Sequence, residues 1–263
     1  MNEVPEFEHV ALDCLVDEQV EARLEALTQL LAERYCNLRL ISQTTKSMVC
    51  AGECRASRGQ VMVKRYFDAR AYAAEVTGYL LFRGGPIAEV LHQDPAFGVI
   101  VLRQLSGRFF LPTRSDLMRA VAAYAALHTQ ALANIRLAFG DRWKPIFVDP
   151  CLSASADLAA IDSQGVSVGD GKPEHLIIDD HAVFVIDLET HSLRRSVWFD
   201  ILFLGRFMGG LDAFSQGLAE LVKQYCHCRG LQPSHYDPEK IAAYLQRLWN
   251  VGPSQSYREG CAP

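Results

Sequence analysis

Hydrophobic residues change their spacing along the chain, and the change separates two textures. Over residues 17–35 (DEQVEARLEALTQLLAERY), Val20, Leu24, Leu27 and Leu31 recur at helical intervals with charges opposite, which predicts an amphipathic helix. From residue 38 the period shortens towards two. The runs LRLIS, SMVCAGEC and QVMVKRY are strand-like and are separated by polar or glycine-containing turns, as in an antiparallel meander. A helix is predicted over 68–83 (DARAYAAEVTGYLLFR), opened by Asp68 and closed by Gly84 and Gly85. Strand-like pieces follow at Ile87–Leu91 and Gly98–Gln104. A long amphipathic helix is predicted over 114–136, with Ser115 or Asp116 available to cap it. The remainder reads as mainly helical, except for apolar pieces at Leu176–Ile178 and Ala182–Asp187.

A meander holding one helix, a short linker near Leu105–Pro112 and a helical remainder predict a two-lobed α+β protein. The N-terminal lobe, with its helical prefix and five-stranded antiparallel sheet, would span 1–104, and the mainly helical C-terminal lobe 105–263. The cleft between such lobes is the ordinary place for a ligand. No repeat or low-complexity tract argues for an array. A hydrophobic content of 49% with 22% charged residues excludes a disordered or fibrous chain. A net charge of -5 argues against broad nucleic-acid binding, although Arg194 and Arg195 could form a solvated face or meet an anionic acceptor.

Eight cysteines raise the question of disulfides or zinc. The start, MNEVPEFEHVALDC, is acidic and has neither the basic nor the apolar part of a secretory signal. The most apolar later run, Val197–Met208, is interrupted by Asp200 and Arg206 and is far shorter than the ~20 residues of a spanning helix. The expectation is a cytoplasmic chain with reduced thiols and no membrane span, a peripheral contact with the inner membrane face being left open. The pairs Cys50/Cys54 and Cys226/Cys228 lack the spacing of a four-ligand zinc site. Small, partly buried hydrophobes are the simpler reading, and zinc stays as an alternative. His92, His181, His191 and His235 fall in polar turns and are expected to be solvated.

Four residues in order carry the candidate chemistry. Lys64 sits in the third strand-like run and Glu75 in the helix after it. Asp170 lies in the loop VGDGKPEH (168–175), ahead of an apolar run. Asp187 ends the run VFVID (183–187). A strand lysine facing a helix glutamate holds a cation in a defined place, as a phosphate clamp requires. A loop aspartate before a short strand can accept a hydroxyl proton. A second aspartate at a strand end, with His175 five positions after the first, can ligate Mg²⁺. Lys172 could neutralise a transferred phosphoryl group, or be an exposed loop lysine. Taken singly, each residue also has a plain structural reading: an edge lysine, a solvated helix face, a turn aspartate.

The ordered set resembles the protein-kinase-like superfamily, in particular its small-molecule branch of aminoglycoside and choline kinase relatives and lipopolysaccharide core heptose and Kdo kinases. The resemblance covers about residues 38–210. It implies that Lys64 binds nucleotide phosphates and is held by Glu75. It also implies that Asp170 is the catalytic base, that Asp187 carries metal with His175, and that ATP and Mg²⁺ are cofactors. Gln104 and Leu105, in VIVLRQLSG (99–107), resemble the hinge that receives adenine. Leu127 and His128 resemble an LH pair before the catalytic segment, and Asp200 the aspartate that braces the catalytic loop. In place of a GxGxxG loop stands SQTTKS (42–47), where Thr45, Lys46 and Ser47 would cover a phosphate. Val168 stands where the family has a histidine, and His175 where it has an asparagine.

His175 with Ile186, Asp187 and Leu188 resembles the lipopolysaccharide kinases. The expected function is therefore ATP- and Mg²⁺-dependent transfer of phosphate to a hydroxyl of a small molecule or sugar, of lipopolysaccharide-core-kinase type. An aminoglycoside-type kinase is one alternative. The other, favoured by Val168 and His175, is a pseudokinase that binds nucleotide without turnover.

Overall fold

A computed structural model describes residues 17–140, 166–193, 195–208, 211–232 and 238–251. Backbone packing divides the chain into two units, residues 1–73 with 89–104, and residues 74–88 with 105–263. The amino-terminal prefix, Arg194, His235, Cys14, Cys151 and Cys261 lie outside the described residues.

The first unit contains α1 (Asp17–Leu31), β1 (Tyr35–Gln43), β2 (Ser47–Cys54), β3 (Gln60–Tyr66), β4 (Val90–Asp94) and β5 (Val99–Arg103). The strands form an antiparallel sheet in the order β1-β2-β3-β5-β4. The first helix stops short of residue 35 because Tyr35 is already paired with Cys54 across the first hairpin. Leu27 and Leu31 of α1 share a core with Met48, Cys50, Val61, Val63, Val99 and Val101. Alternation along the strands dictates which face carries chemistry. Val63 pairs with Cys50 and Val101 on the face that α1 covers, so the next residue, Lys64, between Val49 and Ile100, stands on the opposite face.

The fourth strand begins at Val90 rather than near Ile87. Val185 donates its amide to the Pro86 carbonyl and bridges Ile87, which draws that segment into the second unit. Helix α2 (Ala69–Leu81) has its first residues in one unit and the rest in the other. The Asp68 carboxylate accepts the Arg70 amide at 2.8 Å, as a helix start requires. Further along, Asn134 donates to the carbonyls of Leu81 and Arg83. A Cβ on Gly78 would lie 2.7 Å from the Leu188 carbonyl oxygen, so only glycine permits this approach.

The second unit continues with β6 (Arg108–Phe109), α3 (Arg114–Phe139), β7 (Leu176–Ile178), β8 (Val183–Val185), α4 (Trp198–Leu204), α5 (Leu211–Arg229) and α6 (Pro238–Val251). The segment expected to be a plain linker contains β6, which pairs with β7 and completes a three-stranded sheet. The cap of α3 is Thr113, whose hydroxyl accepts the Asp116 amide. Asp116 is not the cap. It takes two hydrogen bonds from Arg108, at 2.6 and 2.8 Å, and that guanidinium holds its carboxyl below the usual range.

The apolar run after residue 197 forms α4, buried on every side, and no helix among the described residues is long and apolar enough to cross a membrane. Cys36, Cys50, Cys54, Cys226 and Cys228 are free thiols, and burial pushes Cys50 up to about 11. Leu27→Ala should cost about 3 kcal/mol by opening a cavity in the first unit. Urea denaturation reads this as a lower midpoint, and an unchanged midpoint would remove α1 from the sheet's core.

Candidate active site

The site begins with a buried carboxylate. Asp200 lies within α4 and is fully buried. One of its oxygens accepts the Val168 amide at 2.8 Å, and the other accepts the Gly169 amide at 2.9 Å and the Ser167 hydroxyl at 2.8 Å. His128, from α3, meets the first oxygen at 2.8 Å. Backbone N–H groups can only donate, so this carboxylate fixes the course of the 167–169 loop. Val168 turns its side chain into the core. Gly169 has φ 104°, and a Cβ there would lie 2.2 Å from the Thr190 carbonyl oxygen. The loop therefore needs glycine at this point.

Asp170 follows, and its amide donates to the Thr190 hydroxyl at 2.8 Å. Its own side chain is mostly buried and forms an ion pair with Lys172 at 2.8 Å. Burial alone would lower the Lys172 ammonium's pKa. The Asp170 hydrogen bond, together with the charges of Asp170, Glu174 and Asp187, outweighs burial and raises it.

A single turn of 3₁₀ helix, Pro173–His175, then leads into β7. Pairing of β7 with β8 brings the residues flanking this hairpin together: Ile186 donates its amide to the His175 carbonyl at 2.9 Å. His175 thereby reaches both aspartates. Its Nδ1 lies 2.9 Å from the Asp170 carbonyl oxygen, and its Nε2 lies 3.3 Å from the Asp187 carboxylate. Asp187 has φ 62°, a left-handed conformation that turns the chain sharply after β8.

With Nδ1 donating to a carbonyl, the neutral ring would present the Nε2 lone pair to a carboxylate oxygen. Such a face suits a shared divalent cation. Glu75, Asp187 and Glu189 place carboxylate oxygens within 4.8 Å of one another, an oxygen-rich set that fits a hard cation such as Mg²⁺. Burial, then the charges of Glu75 and Asp187, holds the Tyr79 phenol well above its usual range.

The sequence-derived candidates thus fall into two groups. Asp170, Lys172, His175, Asp187 and Glu75 all belong to the second unit, and Glu189 joins them. Lys64 belongs to the first, where its ammonium lies 5.0 Å from the centre of the Tyr66 ring. Thr45 and Lys46 are exposed at the β1–β2 turn, and the amides of Lys46 and Ser47 both donate to the Thr44 hydroxyl. The Gln104 amide donates to the Gln60 carbonyl at 3.1 Å. Leu105 opens the second unit's longer segment, two residues before Gly107, whose Cβ would lie 2.5 Å from the Ile178 carbonyl oxygen.

Two expectations change. Arg195 is neither solvated nor placed at a surface: it is 2% exposed and packs 4.7 Å from the centre of the Phe199 ring. His191 is held by a hydrogen bond from its ring to the Leu188 carbonyl, beneath the edge of Phe82. Thr190, Ser167, Glu189 and Tyr225 were not singled out in the sequence. Only Thr190 and Glu189, directly after the Ile-Asp-Leu run, had a positional signal.

No protein-family model and no curated protein matches the chain. Solved structures match its fold. Aminoglycoside phosphotransferase APH(4)-Ia superposes with a TM-score of 0.53 at 14% identity, over 93% of this chain and 93% of that one. A thermostable mutant of that enzyme, in a ternary complex with AMP-PNP and hygromycin B, gives 0.53 at 14% identity over 89% and 92%. Ethanolamine kinase of Plasmodium vivax gives 0.54 at 9% identity, over 92% of this chain and 82% of that one. The chain shares the fold of these enzymes, a five-stranded antiparallel sheet followed by a helical part.

Burial holds His128 and His191 below the usual histidine range, hydrogen bonds pulling the other way. Below about pH 6.5 the unfolded chain takes up protons that these rings refuse, so stability should fall with pH by up to about 1.4 kcal/mol per unit for each. His191→Asn, whose amide can donate to the Leu188 carbonyl, should flatten that fall in denaturant titrations between about pH 6.5 and 5. A slope equal to wild type would show that His191 ionises freely in the folded protein.

Proposed function

We propose that the protein is an ATP-dependent phosphotransferase acting on a hydroxyl of a small, amine-bearing molecule, in the manner of aminoglycoside and amino-alcohol kinases. The observation that carries this reading is the convergence of Asp170, Lys172, His175 and Asp187 at one hairpin of a small-molecule kinase fold. Asp170 would orient the acceptor hydroxyl and take its proton as that oxygen bonds to the γ-phosphorus of ATP and the bond to the departing ADP breaks. Lys172, which pairs with that carboxylate, would meet negative charge gathering on the phosphoryl oxygens. Asp187, His175 and neighbouring carboxylates would hold Mg²⁺, which when bound neutralises phosphate charge. Lys64, with Glu75 as its partner, would position the nucleotide. Thr45, Lys46 and Ser47 would cover its phosphates, and Gln104 with Leu105 would receive the base. Positioning and electrostatics would supply most of the acceleration.

An amine-bearing acceptor is preferred to a phosphorylated sugar on charge. Glu75, Asp187 and Glu189 gather their carboxylates, and His175 lies near both Asp170 and Asp187, with Lys172 paired to Asp170, whereas Arg195 is committed to the interior. The solved relatives point the same way, since one is held with hygromycin B and another is an ethanolamine kinase. The lipopolysaccharide-sugar reading rests on His175 and the Ile-Asp-Leu run and comes second.

The test is ATP turnover with Mg²⁺ against hygromycin B, ethanolamine and a phosphorylated sugar, beside nucleotide-dependent thermal shift. The wild type should turn over an amine acceptor. Asp170→Asn should lose roughly 10²–10⁴-fold in kcat. Asp187→Ala should lose the Mg²⁺-dependent part of the nucleotide shift. Nucleotide binding without turnover for any acceptor would leave a pseudokinase, and no nucleotide shift would overturn the reading altogether.

A further inference from the structure

The carboxylate that braces the catalytic loop is reached from the far side by a directed line of hydrogen bonds. Arg229 Nη1 lies 2.9 Å from the Tyr225 hydroxyl, which lies 2.9 Å from His128 Nδ1. His128 Nε2 lies 2.8 Å from Asp200. Tyr225, His128 and Asp200 are each 0% exposed. The directions follow from donor chemistry. A carboxylate accepts, so the imidazole proton sits on Nε2, and Nδ1 of the neutral ring must then accept. The Tyr225 hydroxyl therefore donates to Nδ1, and the guanidinium, which can only donate, feeds the phenol oxygen. Burial, and the Arg229 charge against the pull of Asp200, keep the ring on the neutral side.

We propose that Tyr225 and Arg229 are positioning residues of the phosphoryl-transfer site, acting on the 167–170 loop through His128 and Asp200. The part of this inference that concerns turnover rests on the function proposed above. No lysine or arginine among the described residues forms an ion pair with Asp200, and a buried anion without compensation is costly. The relay supplies compensation at a distance, because each hydrogen bond in such a chain polarises the next. Arg229 is the last residue of α5, where the helix's free carbonyls favour a cation. Its guanidinium also lies 5.4 Å from the centre of the Tyr225 ring, and Trp198 packs on that ring at 4.8 Å. Removing the hydroxyl alone thus leaves the ring's packing intact.

Tyr225→Phe, Arg229→Met and Arg229→Lys, each with thermal unfolding as a check of folding, separate a relay from mere packing. In ¹⁵N spectra the wild-type His128 ring should carry its proton on Nε2, with Nδ1 as a hydrogen-bonded acceptor. Tyr225→Phe should move Nδ1 towards a bare lone pair and lower kcat about tenfold with the KM for ATP held within about twofold. Arg229→Met should give a smaller loss of kcat, which Arg229→Lys restores. A proton on Nδ1 in the wild type, or an unchanged kcat and Nδ1 signal in Tyr225→Phe, would overturn the proposal. If the wild type transfers no phosphate, the functional reading fails by itself. The relay then stands or falls on the Nδ1 signal, its movement in Tyr225→Phe supporting it and its constancy refuting it.

Discussion

The interaction on which the rest of the site depends is the burial of the Asp200 carboxylate among donors. A charge removed from water is tolerated only when its oxygens are saturated, and Val168, Gly169, Ser167 and His128 saturate these. The same bonds leave the loop one course. Asp170 emerges from it at a fixed point, and the Thr190 hydroxyl holds its amide. The energy that makes the buried charge acceptable is thus also what orders the candidate base.

Close approaches then set the distances. Gly169 passes the Thr190 carbonyl, and Gly78 brings α2 against Leu188, one turn from Glu75. The carboxylates of Glu75 and Glu189 gather at Asp187 as a result, and His175 Nε2 lies 3.3 Å from that aspartate. Crowded carboxylates are unfavourable by themselves and are stabilised by cations. That electrostatic demand agrees with a hard cation held there.

Much of this was legible in the sequence for a definite reason. Strand alternation in VMVK puts Lys64 on the face away from the α1 core, and two apolar runs either side of a turn form the hairpin that joins His175 to Asp187. Local pattern carries both. What it does not carry is partnership across the chain. Nothing in the sequence near His128 names Tyr225, and two arginines in a row do not reveal that Arg195 is interior. Nor did residues 105–112 show that Arg108 would join β7 and take Asp116 away from capping α3. Those features depend on tertiary packing, which overrides local preference.

The most direct measurement is amide hydrogen exchange at Val168 and Gly169 in the wild type and in Asp200→Asn. The substitution keeps the side chain's shape but turns one acceptor into a donor facing other donors. If the carboxylate orders the loop, both amides should exchange at least about tenfold faster in Asp200→Asn, while the amides of α3 and α5 keep their protection. Unchanged exchange at Val168 and Gly169 would contradict the account, because the loop would then be held by something other than the buried charge.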